Sequence, residues 1–93
     1  MKRYLISVQE LDGRTGGAAR EMKFEATNHD DVFDIVDRIQ QGQIVPESET
    51  EEFSLGLKLF SEVVLRHRKE PLFAEIFTGM SSFMKALKAE ARR

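Results

Sequence analysis

Two stretches near the start of the chain alternate between apolar and polar residues, which is the pattern of a half-buried β-strand. In the first stretch Tyr4, Ile6 and Val8 share one side, and in the second Met22 and Phe24 do. The segment between them is rich in glycine and contains an Asp-Gly turn pair. These features predict an antiparallel hairpin with a long loop.

The pattern then changes to helical spacing. Asn28 can cap a helix, and Asp30 and Asp31 would then lie in its first turn, where negative charge meets the favourable end of the helix dipole. Gly42 is placed to end this helix. Its apolar positions follow the i, i+3, i+4, i+7 spacing and are Val32, Ile35, Val36 and Ile39. We expect this first helix to lie on the hairpin.

A second helix is predicted from a capping box, Ser48 with Glu51, to about His67. Its apolar residues cover an arc of about 200° around the axis, which indicates a central helix packed on two sides. The arc comprises Phe53, Leu55, Leu57, Leu59, Phe60, Val63 and Val64. Gly56 lies inside it and is interpreted as a point of close approach for a crossing element. Leu65 is expected to point the other way.

Pro71 fits the first turn of a third helix. Its apolar stripe comprises Leu72, Phe73, Ile76, Phe77, Met80, Phe83, Met84 and Leu87. The segment 79–82 could kink this helix, but the stripe keeps its phase there, so we expect one continuous helix. We interpret the stripe as core, although Met80 and Met84 could also bind an apolar ligand or an amphipathic helix. The fold class is therefore α+β, a single domain over residues 1–93 with the order β-β-α-α-α.

Composition narrows the class of protein. The 93 residues are 41% hydrophobic and 32% charged, as in folded globular domains. The chain has no cysteine, which excludes disulfides, thiolate nucleophiles and cysteine-based metal centres. No apolar stretch is long enough for a signal peptide or a membrane span. We expect a cytoplasmic protein with no membrane association.

Charge is distributed unevenly along the chain. Residues 1–64 carry seven basic and thirteen acidic side chains, whereas residues 65–93 carry seven basic and three acidic ones. The basic residues of the last third could bind phosphates or an acidic partner, and they are Arg66, Arg68, Lys69, Lys85, Lys88, Arg92 and Arg93. Cations at helix C-termini also complement the helix dipole, and no aromatic residues interleave with these. We therefore favour an ordinary solvated face over nucleic-acid binding.

The most suggestive chemical cluster is His29, Asp30 and Asp31, which could carry out acid–base chemistry or hold a divalent cation. We favour the interpretation of this cluster as the acidic start of a helix, because a helix N-terminus attracts carboxylates and one histidine falls short of a metal motif. The loop segment 13–17 lacks the features of a phosphate-binding loop, and no serine lies in a nucleophile elbow. We expect no cofactor, no metal and no enzymatic activity.

Several ordered segments resemble a small bacterial family, the domain of unknown function 3861. The segments are Lys2 to Val8, Asn28 to Phe33, Leu55 to Val63, Arg68 to Phe73, and Phe83 to Lys85. The resemblance spans most of the chain and implies a short cytoplasmic bacterial protein of this architecture. It carries over no activity, cofactor or catalytic residue.

Our leading hypothesis is a non-catalytic protein–protein interaction module that forms homo-oligomers. A lone two-stranded hairpin is marginal in water, and its unpaired edges can be covered by a second chain in a dimer. Tyr4 and Phe24 would then help to form the inner face of the sheet, with Leu5 or Leu65 available to the interface. The alternative hypothesis is nucleic-acid or acidic-partner binding through the basic last third of the chain.

Overall fold

A computed structural model describes residues 1–11 and 19–91. Its elements are strands β1 (Lys2–Gln9) and β2 (Glu21–Asn28), helix α1 (Val32–Gly42), a short 3₁₀ turn (Glu47–Glu49), and helices α2 (Thr50–Arg66) and α3 (Pro71–Ala91). This is the predicted α+β architecture in the predicted order. Among the described residues no helix is both long and apolar enough to cross a membrane.

The two strands form an antiparallel hairpin in which Ile6 lies opposite Phe24 and Val8 opposite Met22. These four residues share one face with Tyr4, as their alternation predicts. Only the end of the hairpin near Asn28 is covered by the helices, so Val8, Met22 and Phe24 are exposed. The predicted inner face is therefore half uncovered in the single chain.

Helix α1 begins later than predicted. Its N-cap is Asp31, whose carboxylate accepts hydrogen bonds from the backbone N–H groups of Phe33 and Asp34. The helix ends at Gly42 as predicted, and Gln43 follows in the left-handed conformation with φ of 52°. A Cβ at Gly42 would lie 2.9 Å from Cα of Ala91, so the glycine permits α1 to approach the end of α3.

Helix α2 is central, as predicted, and contacts α1, α3 and β2. Its most buried line is nevertheless polar and passes through Ser54, Lys58 and Ser61. The prediction that Gly56 is a close-approach point for a crossing element is wrong for the described residues, because no atom beyond its own turn of helix lies within 4 Å of a Cβ built there. The predicted capping box is also absent: Glu49 occupies the cap position, and no side chain caps the helix. The reason is the 3₁₀ turn, which takes up residues 47–49.

Helix α3 is continuous, as its unbroken stripe predicts. The interpretation of that stripe as core is wrong in part, because Leu87 is its one buried member among the described residues. Leu72, Ile76 and Phe83 are exposed, since α3 packs on the other two helices along one side only. Met80 and Met84 are half-buried.

Candidate functional site

The junction between β2 and α1 brings together three of the six buried polar side chains among the described residues, Asn28, Lys58 and Glu62. Strand β2 ends at Asn28, and α1 begins four residues later at Val32. Between them, Asp31 serves α1 as its N-cap and also lies 3.8 Å from Nζ of Lys2. Asp31 therefore has a structural role, and it is Asp31, not Asn28 as predicted, that caps the helix.

Asn28 joins the strand to α2. Its side chain is buried, its Nδ2 donates to the carbonyl of Lys58 at 3.0 Å, and its Oδ1 accepts from the backbone N–H of Asp30 at 3.1 Å. A buried amide of this kind is stable only with its partners in place. Asn28 thus fixes both the turn and the position of α2 beneath it.

His29 pairs with Glu62 of α2. The backbone N–H of His29 donates to Oε1 of Glu62 at 3.0 Å, and the ring Nδ1 lies 2.8 Å from Oε2. The Glu62 side chain is buried, whereas the His29 ring is largely exposed. The carboxylate is therefore satisfied from the strand end, and the imidazole has one face open to solvent.

Asp30 pairs with Lys58, one turn before Glu62 on the same side of α2. Nζ of Lys58 lies 2.6 Å from Oδ2 of Asp30. The hydrogen bond from Lys58 holds the pKa of the Asp30 carboxyl below its ordinary value of 3.8, against the opposing effect of partial burial. The Lys58 side chain is only 8% exposed, whereas that of Asp30 is 53% exposed.

Tyr4 completes the junction from β1. Its hydroxyl donates to the carbonyl of Asp30 at 3.3 Å and accepts from the backbone N–H of Val32 at 3.0 Å. The alternation pattern predicted Tyr4 as an inward apolar residue and did not indicate this second role. Lys58 and Glu62 were also missed, and their signal was that they are the two charged residues, of opposite sign and four positions apart, in the segment 53–65.

A cleft of about 530 Å³ opens beside this junction, between the three helices. Its apolar wall comprises Ile35, Ile39, Leu57, Met84, Leu87 and Ala91. Its polar lining comprises Asp30, Arg38, Gln41, Lys58 and Lys88. Asp30 and Lys58 neutralise each other, so Arg38 and Lys88 set the positive charge of this rim. His29 does not line the cleft, which separates the imidazole from the space where a small molecule could bind.

The three residues of the predicted cluster have different roles. His29 and Asp30 pair with residues of α2, whereas Asp31 caps α1. In the part of the chain that the structure describes, no three His, Asp or Glu side chains converge as metal ligands would. The glycine-rich segment 13–17 lies outside the described residues.

The predicted basic residues fall into two separate groups. Arg66 and Arg68 donate to the carbonyls of Glu62 and Leu65 at the end of α2, and Lys69 follows in the turn. Lys85 and Lys88 lie about 21–26 Å along α3 from its first residue, at a rise of about 1.5 Å per residue. The structure does not bring the two groups together. Arg92 and Arg93 lie outside the described residues.

Leu65 was expected to point away from the core. It is half-buried instead, because the buried line of α2 passes through Ser54 and Ser61, and Leu65 lies within about 40° of both around the helix axis. It therefore offers less surface to a partner than the sequence predicts. Leu5, the other outward candidate, is 69% exposed.

Comparisons with known proteins agree with the fold and give no activity. The family model described as Domain of Unknown Function with solved-structure structure (DUF3861) matches residues 2–89. The crystal structure of a protein of unknown function from Pectobacterium atrosepticum is 34% identical, covering 95% of this chain and 97% of that one, with a TM-score of 0.82. No curated protein matches the sequence.

Proposed function

This chain belongs to the DUF3861 family, and we propose that it is a non-catalytic protein–protein interaction module that acts as a homo-oligomer, in its simplest form a dimer. The proposal rests on one observation, which is the amount of surface that the single chain leaves uncovered. Its accessible surface is 7406 Å². A compact monomer of 10.7 kDa is expected to expose about 5,500 Å².

The excess of roughly 1,900 Å² has the size of one partner's share of an obligate interface, since such interfaces bury about 2,000–5,000 Å² in total. The dimensions support the same reading. The radius of gyration is 15.6 Å, against about 12 Å for a compact domain of this length. A second chain would cover surface that this chain cannot fold onto itself.

The small core points in the same direction. Within the described residues, the buried hydrophobic side chains are Val32, Ile39, Val64 and Leu87. By contrast, the exposed large hydrophobic residues are Met1, Leu5, Val8, Leu11, Met22, Phe24, Phe33, Phe60, Val63, Leu72, Ile76 and Phe83. Exposed apolar residues are ordinary when scattered, but contiguous patches of them mark interaction sites. Both the hairpin and the α2–α3 pair carry several of these residues.

The polar junction supports a structural role over a catalytic one. Lys58 and Glu62 are each engaged with one residue of the turn, and they tie β2 to α2. A catalytic acid or base needs to face the space where a substrate can bind. His29 lies outside the lining of the cleft, and Asp30 is held by Lys58.

Nucleic-acid or acidic-partner binding is the competing proposal, with Arg66, Arg68, Lys69, Lys85 and Lys88 as its residues. The distance between its two groups weakens it, because a continuous phosphate track needs neighbouring cations. Arg66 and Arg68 also have partners at the end of α2, where positive charge is favourable for the helix itself.

The test is the molecular mass of the purified full chain, measured by sedimentation equilibrium from low to high micromolar concentration. We expect a mass of twice the chain mass or a higher multiple over this range. A mass that stays at one chain throughout would contradict self-association. A parallel mobility-shift assay at low salt tests the competing proposal, and a salt-sensitive shift of DNA or RNA would favour it.

A further inference from the structure

We infer that the second copy docks on the outer face of the α2–α3 helical pair, opposite the hairpin and α1. This inference rests on the proposed self-association and assigns it a surface. The outer helical face is defined by Gly56, Phe60, Val63, Leu72, Ile76, Gly79 and Phe83. The seven positions lie on two antiparallel neighbouring helices and carry no charge.

The contact between Phe53 and Phe83, with ring centroids 6.5 Å apart, fixes which sides of the two helices meet. At about 100° per residue, Gly56, Phe60 and Val63 lie within about 80° of Phe53 around α2. All three lie on the side of Phe53 that is away from the buried line of α2 through Ser54 and Ser61.

The corresponding positions of α3 lie within about 40° of Phe83 around its axis. They are Leu72, Ile76 and Gly79. Leu72 and Gly79 lie on the side of Phe83 that is away from the cleft residues Leu87 and Met84, whereas Ile76 lies between Phe83 and Leu87. The exposed apolar residues of both helices therefore meet along one surface.

The seven positions that define this surface are apolar and open, and the exposed carboxylates of Glu52 and Glu75 lie at its border. Leu72 is 74% exposed, Phe60 53% and Phe83 47%, although all three are large side chains on regular helices. Burial of one such side chain contributes about 1.5–3 kcal/mol, so leaving several exposed forfeits a large stabilisation. A second copy that presents the same face would bury them all.

The glycines give an independent reason. Gly56 and Gly79 each lie in the middle of a helix, where glycine costs about 1 kcal/mol relative to alanine. Within the described residues no atom beyond the glycine's own turn of helix lies within 4 Å of a Cβ built on either, so packing against the other elements does not require them. Both lie on the outer helical face. A crossing helix of a second copy would use the space that these missing side chains leave.

The hairpin is the rival surface, and its strands are less suited to pairing. Arg3 and Glu25 form an ion pair across the two strands, and Lys23 pairs with Glu21 along β2. Charged side chains along exposed strands are a common protection against edge-to-edge pairing. Two copies joined through the outer helical face would form a four-helix arrangement with twofold symmetry.

The experiment measures the Kd of the full-chain dimer by sedimentation equilibrium for Leu72→Glu and Gly79→Ala. Leu5→Glu is the control for the first, because Leu5 is exposed to a similar extent but lies on the hairpin. Thr78→Ala is the control for the second, because it improves helix propensity without adding atoms to the outer helical face. Circular dichroism checks that each variant is folded.

We expect Leu72→Glu and Gly79→Ala each to raise the Kd at least about tenfold, and the controls to change it less than about threefold. Gly79→Ala should keep or increase helix content, so a weaker dimer could not be attributed to unfolding. If the natural chain dimerises but both variants leave its Kd unchanged, or if Leu5→Glu alone dissociates it, the inference is overturned and self-association stands. A natural chain that is monomeric throughout would overturn both.

Discussion

The ion pair between Asp30 and Lys58 is asymmetric, because Asp30 is half exposed while Lys58 is nearly buried. Asp30→Asn leaves a buried ammonium without its anion, so we expect a loss of about 1–3 kcal/mol in the free energy of unfolding. Lys58→Met leaves a carboxylate that water can solvate and keeps an apolar stem, so its cost should be below about 1 kcal/mol. Urea unfolding of both variants and the double variant measures the difference; equal costs would contradict it.

The same pair gives a pH dependence. The pKa of Asp30 is lowered in the folded state, chiefly by the Lys58 hydrogen bond. Its contribution to stability is therefore complete above the ordinary value of 3.8 and is lost as pH falls through the folded-state value. Asp30→Asn should flatten the acid side of the stability profile, measured by urea unfolding between neutral pH and about pH 3.

These residues also show what the sequence could predict of the site. His29 and Asp30 were recognisable as a local cluster, because neighbours along the chain are visible in the pattern. Their partners Lys58 and Glu62 are about thirty positions away, and only the packing of β2 on α2 brings them close. Asn28 resembled a helix cap because its residue type is common there, whereas its burial places it among the core contacts.

At the scale of elements, the buried line of α2 carries hydroxyls with no partner. Oγ of Ser54 is fully buried and, among the described residues, accepts and donates no hydrogen bond. Ser54→Ala removes that unsatisfied group and favours the helix, so we expect it to raise the free energy of unfolding by about 1 kcal/mol. Ser61→Ala is the matched control, because Oγ of Ser61 reaches the carbonyl of Lys58 at 3.5 Å.

Urea unfolding monitored by circular dichroism compares the two serine variants. We expect a gain for Ser54→Ala and a smaller gain or none for Ser61→Ala, since alanine helps the helix at both positions but only Ser54 is unsatisfied. A loss of stability in Ser54→Ala would contradict the expectation and would indicate that its hydroxyl has a partner in solution, such as a buried water.

The elements themselves were largely predictable, since the two alternating stretches and three helical stretches have the periodicities that their conformations require. Which side of α2 is buried could not be predicted from the sequence. The hydrophobic arc placed Phe60 and Val63 with the core, but both are exposed, and the small side chains of Ser54 and Ser61 are buried instead. Periodicity shows where the apolar residues lie around a helix, but it does not distinguish a buried apolar surface from an exposed one.

At the scale of the whole molecule, self-association through the outer helical face would make thermal stability depend on protein concentration. If the chain folds as a dimer, unfolding also separates the two copies, so the midpoint temperature must rise with protein concentration. With the usual unfolding entropy per residue, a dimer of this length should gain about 4 °C for each tenfold increase. Differential scanning calorimetry over two decades of concentration measures it directly.

The variant Leu72→Glu tests whether the concentration dependence of the midpoint arises from the outer helical face. In that variant we expect the midpoint to fall and to depend less on concentration, because a larger share of the folded chain is then monomeric and unfolds without a partner to release. Leu5→Glu should retain the full dependence, since the hairpin would remain outside the interface. A midpoint for the natural chain that is constant over the whole range would mean that a single copy carries all of its own stability, and it would contradict self-association.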